Sequence, residues 1–203
     1  LDGEAGEYAM GLLDDYGMVG LYFWEAGARC FYTTSKPIRS VEDLKGMKIR
    51  VQQTEVAISM VRALGAEATP MDYAEVFQGL QTGIVDGAEN DFVSYYTSGH
   101  YEVAKYYSLD QHMAPPAVLL MSKASWDKMT EAQQKAVRKA AYEAAVWQRQ
   151  AMQDYQLESR AACEAAGSEI IEVDVPSFQA AVASVYDEYP QYKTIVDMIN
   201  AVE

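Results

Sequence analysis

The segment from Thr130 to Ala166 reads as one uninterrupted helix, and its length constrains the fold more than any other feature. Thr130 followed by Gln133 makes a capping box, alanine is abundant inside, and Gly167 supplies the stop. Val137, Ala140, Ala141, Ala144, Gln148, Ala151, Met152 and Tyr155 trace a stripe at helical spacing. About 37 residues at 1.5 Å each span roughly 55 Å, more than the diameter of one small lobe. Such a helix is expected to bridge two lobes or to extend past one.

The rest of the chain alternates short apolar runs with helical patterns. Tyr8, Leu12, Leu13 and Tyr16 suggest an opening helix stopped at Gly17, and LYFWEAGARCFYTT reads as a strand bent at Gly27. Pro37 marks a turn, and Ser40 can cap a short helix over VEDLKG before the strand MKIRV. TEVAISMVRALG is helical, with Val56, Met60, Val61 and Leu64 on one face and Gly65 at its end. A strand over AEATPM leads to a helix with Asp72 as its N-cap and Gly83 as its stop, then to the strand IVDGAEN. VAKYYSLDQH, PAVLLMS and SEIIEVD read as further strands, and VPSFQAAVASVYDEY as a closing helix. Strands and helices alternating at these lengths imply parallel βαβ units in an α/β fold.

The 203 residues are half hydrophobic and 23% charged, enough to bury a core in one large domain or two small lobes. A net charge of −14 without a basic stripe argues against nucleic acid and anionic membrane surfaces as partners. No run of apolar residues is long enough to span a membrane. Cys30 and Cys163 match no metal-ligand spacing, and burial as small hydrophobes competes with a disulfide as their reading. The chain opens without an initiator Met or a charged-then-apolar leader, so any secretory signal is expected to lie outside it.

Catalytic patterns are weak. The two histidines, His100 and His112, accompany no nucleophile elbow, no Gly-rich phosphate loop and no metal cluster, so neither enzyme chemistry nor a cofactor is expected. The carboxylate pairs Glu42–Asp43 and Asp86–Glu89 fit capping and solvated faces better than acid–base work. Arg50 stands apart, because it lies between Ile49 and Val51 inside an apolar strand where burial is expected. A buried guanidinium needs a partner. That partner is either an internal Asp or Glu or a carboxylate arriving with a ligand, and the local sequence leaves both open. Arg29, beside Gly27, poses the same question. Asn90, where an apolar strand meets a polar tip, is a candidate hydrogen-bonding residue, since ligands of open α/β sheets bind at carboxyl ends of strands. Trp24 and Tyr73 could line a pocket or fill a core.

EAGAR, KPIRSVEDLKGMKIRV, LGAEATPMDYAEVFQGLQTGIVDGAEN and HYEVAKYYS, in this order and spacing, closely resemble the solute receptors of TRAP transporters, the DctP-type family. The resemblance runs from about Gly20 to the C-terminus. It implies a periplasmic-binding-protein-like fold of two α/β lobes with a long helix running across both. Residues 1–28 and 116–150 would belong to the first lobe, and 29–115 with 151–203 to the second. It implies an extracytoplasmic receptor, periplasmic or tethered to the surface of a single-membrane cell, that delivers a small carboxylate to a membrane permease. By the same resemblance Arg50 forms a bidentate pair with the ligand carboxylate, Arg29 adds a second contact, Asn90 binds, and Tyr73 packs on the ligand.

Family members carry further βα units ahead of the point where this chain starts, so an incomplete first lobe and a half-built cleft are expected. The GAEN tip, Tyr95, Tyr96 and HYEVAKYYS look similar to the branch associated with sugar acids such as uronates. Glu25, Gln52 and Asn90 would then read hydroxyls. C4-dicarboxylates and other organic acids stay open as ligands, as do a sensing module and a scaffold without a transport role.

Overall fold

The aromatic stretch expected to form one bent strand is two strands, β1 (Met18–Trp24) and β2 (Arg29–Thr33), separated by residues 25–28 with Gly27 at a φ of +82°. In the computed structural model, which describes residues 1–202, they belong to different compact units. The first unit holds Leu1–Ala26, Pro115–Asp154 and the C-terminal segment from Tyr189, and the second holds Gly27–Ala114 and Tyr155–Glu188. The C-terminal segment was expected in the second lobe. It groups with the first because the helix Lys193–Asn200, with Ile195, Val196 and Met198 half-buried, packs on the helix Glu4–Gly11.

Within the first unit β1 pairs antiparallel with β7 (Ala117–Ser122), from Met18 opposite Ser122 to Trp24 opposite Ala117. Of the opening stripe, Tyr8, Leu12 and Tyr16 are exposed, and the helix buries Ala5 and Gly6 instead. Small residues let this helix approach β1 closely, since a Cβ on Gly20 would lie 2.0 Å from Met10 Sδ.

The helix Glu131–Ala165 runs close to its expected length, with its first part in the first unit and its last turns in the second. The capping box is present: Thr130 N–H donates to Gln133 Oε1 at 2.8 Å, and Gln133 N–H to Thr130 Oγ1 at 3.3 Å. Its buried stripe is Ala141, Ala145, Ser159 and Cys163, whereas Ala140, Ala144 and Tyr155 are exposed. Alanine looks alike on every face, so an alanine-rich helix does not reveal its inner stripe through polarity contrast.

The second unit is a six-stranded sheet. β3 (Lys48–Val51), β4 (Glu67–Pro70), β5 (Gly87–Asn90), β6 (Tyr106–Met113) and β8 (Glu169–Ile171) join β2 in the order β4-β3-β5-β2-β6-β8. The sheet is mixed rather than all parallel. β3 runs parallel to β4 and β5, as its crossover helices Glu55–Ala63 and Val76–Thr82 require, while β2 is antiparallel to both β5 and β6.

Every residue of β2 is buried, and the strand alternates between two cores. Phe31 joins Ile49, Val51, Met60, Val61 and Phe178 on one side. Cys30 and Tyr32 join Val85, Ala88, Phe92, Tyr107 and Cys163 on the other, and both cysteines are buried and free. Val56 was placed on the buried face of its helix, but Ala57 takes that position and Val56 is exposed.

Candidate functional site

Three parallel strands and one antiparallel neighbour bring the polar candidates together. Arg50 is on β3, Asn90 ends β5, and Arg29 begins β2, whose next residue, Cys30, lies opposite Asn90. Gln52 follows the end of β3, and Tyr73 follows the end of β4. These five residues line one cavity of about 340 Å³, together with Gln53, Met71 and Asp72. The remaining two candidates, Trp24 and Glu25, belong to the first unit, at the end of β1. The Trp24 indole N–H is buried without a hydrogen-bond partner among the described residues.

The two arginines differ in one decisive respect. Arg29, 8% exposed, is paired internally: its Nε donates to Glu89 Oε2 at 2.5 Å, Nη2 to Glu89 Oε1 at 2.9 Å and to the Glu89 carbonyl at 3.0 Å, and Nη1 to Asn90 Oδ1 at 2.7 Å. Arg50, 4% exposed, has no carboxylate within ion-pair distance among the described residues. Its Nε and Nη2 donate to the Met71 carbonyl at 3.0 and 2.8 Å. Burial, countered only in part by Tyr32 and Glu89, holds its pKa below the ordinary arginine value.

A guanidinium carries five N–H groups. Two of Arg50's are used on Met71, which leaves three on the Nη1–Nη2 edge, enough for a bidentate carboxylate pair. Arg29 spends four bonds on Glu89 and Asn90, leaving one N–H on Nη1.

Glu89 and His112 extend the buried network, and neither stood out from its local sequence. His112 Nδ1 donates to Asp110 Oδ2 at 2.5 Å, and its Nε2 stands 3.5 Å from Glu89 Oε2. Burial pushes the imidazole pKa down, but Asp110 and Glu89 overcome this and raise it to about 9, so His112 is cationic at neutral pH. Burial likewise pushes the Glu89 carboxyl up, and the nearby His112 imidazolium with the hydrogen bonds from Arg29 outweigh it, holding the pKa below the usual range. Asp110 reaches this position through an irregularity of β6: Arg29 faces Met113 while Phe31 faces Ser108. The Asp110 carboxylate then accepts the Phe31 N–H at 2.9 Å in place of a ladder partner.

Arg29, Glu89, His112 and Asp110 pair among themselves, the buried Asp91 carboxylate accepts the Ser94 N–H and hydroxyl, and no carboxylate pairs with Arg50 among the described residues. Beside it, His100 is held neutral, its pKa lowered to about 4 by burial and by the Arg50 charge, while its Nδ1 bonds the Tyr32 hydroxyl at 2.7 Å. Tyr73 is not core: 47% exposed, its ring lies 5.8 Å from the Arg50 guanidinium and meets His100 edge-on at 5.7 Å. Asn90 Oδ1 is committed to Arg29 and the Asp91 N–H, which leaves the amide nitrogen as the donor. Asp72, expected as an N-cap, makes no side-chain cap bond and accepts Gln53 Nε2 at 2.8 Å instead.

Residues 1–192 match the family model for DctP, described as bacterial extracellular solute-binding protein, family 7. The chain belongs to this family. It is 41% identical to a solute-binding protein of Chromohalobacter salexigens over 98% of its own length, but it spans only 61% of that relative. A TRAP periplasmic solute-binding protein of Xanthobacter autotrophicus, solved with bound β-D-galacturonate, is 46% identical with a TM-score of 0.94, covering all of this chain and 69% of the other. One from Roseobacter denitrificans with bound β-D-glucuronate is 40% identical with a TM-score of 0.95, at 100% and 69% coverage. As a DctP-family member the chain thus has the mixed α/β architecture and long helix of solute-binding proteins. Among the described residues no helix is long and apolar enough to cross a membrane.

Proposed function

We propose that this chain is the ligand-gripping part of an extracytoplasmic TRAP receptor that binds a sugar acid, a uronate in the first instance, and hands it to a membrane permease without chemical change. The observation that carries the reading is Arg50, a buried cation with a free bidentate edge on a cavity wall and no carboxylate partner among the described residues. An uncompensated buried charge is costly, and a ligand carboxylate removes that cost on binding. Arg29 adds one N–H, Asn90 an amide donor, Tyr73 a ring face, and Gln52 a polar group for hydroxyls. The uronates bound by the two similar receptors present this combination of one carboxylate and several hydroxyls.

A thermal-shift comparison of galacturonate with galactose tests the reading. At a hundredfold excess over its dissociation constant the acid should stabilise the chain by about 2.7 kcal/mol, and the neutral sugar should not. Equal stabilisation by both sugars would remove the carboxylate from the account.

A further inference from the structure

Strand register places an acidic group on the same cavity as Arg50. β3 and β4 run parallel with Arg50 opposite Thr69 and Val51 opposite Pro70, so Gln53 and Asp72 leave their strands at matching positions. The 2.8 Å bond from Gln53 Nε2 to Asp72 Oδ1 fixes the carboxylate there and leaves Oδ2 available to a ligand. Arg50 grips the carbonyl of Met71, one residue before Asp72, yet the two side chains form no ion pair. Among the described residues the cavity therefore carries both a cation lacking a carboxylate and a carboxylate lacking a cation.

We propose that Asp72, held by Gln53, is a specificity-determining residue that admits hydroxylated monocarboxylates and rejects acids carrying a second carboxylate. This rests on the reading of Arg50 as the carboxylate grip. A carboxylate accepts hydrogen bonds from sugar hydroxyls, whereas a second ligand carboxylate offers no proton and repels it. Discrimination of this kind uses a repulsive element as well as an attractive one. It also separates sugar acids from dicarboxylates, the alternative that sequence motifs left open.

The test is calorimetric titration of galacturonate and galactarate, an open-chain acid with a second carboxylate, on the chain and its Asp72→Asn variant, with the open-chain monoacid galactonate as the control for loss of the ring. The unmodified chain should prefer galacturonate, and Asp72→Asn should narrow that preference about tenfold or more by tightening galactarate. Asp72→Ser should narrow it too, and Gln53→Ala should do so in part. Asp72 is exposed, so these variants should keep the parent circular-dichroism melt. An unchanged ratio, an equal loss for both acids, or no galactarate binding in any variant overturns the proposal. Binding of galacturonate that is indifferent to Arg50→Ala fails the carboxylate reading instead, a different result from one in which Arg50 matters and Asp72 does not.

Discussion

At the scale of single residues, two buried arginines on β2 and β3, strands with β5 between them, are resolved in opposite ways. Arg29 is satisfied by the protein, through Glu89 and Asn90, and Arg50 is anchored by a carbonyl that cannot neutralise it. Glu89 is the hinge of the first arrangement, because it sits between the cations of Arg29 and His112. Replacing Glu89 with Gln leaves the buried Arg29 against a neutral partner and His112 with Asp110 alone. That change should cost about 3 kcal/mol of stability, read as a lower midpoint in urea, with no such loss from the exposed Glu67→Gln. The apolar neighbours of Arg50 announced its burial in the sequence. The nature of its partner was not legible there, since Met71 arrives through pairing between strands some twenty positions apart, and the same pairing brings Gln53 to Asp72. Glu89 looked like an ordinary polar tip residue for the same reason.

Among the elements, glycine and proline punctuation with apolar periodicity placed most strands and helices. Three features escaped that kind of reading. Residues 25–28, Glu-Ala-Gly-Ala, interrupt the β-forming sequence and Gly27 marks a bend there, but a full break appears only in the separation of β1 and β2 into different sheets. The mixed sheet order follows from which edges remain free once β3, β4 and β5 have paired, a property of no single segment. The buried stripe of the long helix is hidden by its alanines. β5 owes its place between β3 and β2 to Gly87, where an added Cβ would fall 2.6 Å from the Tyr32 carbonyl and 2.8 Å from Thr33 Cγ2. Gly87→Ala should therefore destabilise the chain by about 1–3 kcal/mol in a urea titration. Gly11→Ala, which meets nothing within 4 Å, should leave the midpoint almost unchanged.

For the whole molecule, the buried histidines set the pH response. His112 titrates at about 9 in the folded chain against 6.5 ordinarily, so its contribution is complete below 6.5 and is lost as pH rises through 9. His100 titrates at about 4, so its contribution is present above 6.5 and is lost as pH falls through 4. Glu89, depressed below its ordinary 4.5, adds a further loss at the acid end. Stability should therefore peak near pH 6.5, with His112→Asn flattening the alkaline limb and His100→Asn the upper part of the acid limb in thermal melts across pH. The ion pair that Arg50 lacks among the described residues is the one a ligand carboxylate would supply. Calorimetric titration of galacturonate into the chain and its Arg50→Ala variant measures that contribution. Binding should be at least about 100-fold weaker in the variant, with the fold intact by circular dichroism, and equal affinity in the two proteins would rule out Arg50 as the carboxylate grip.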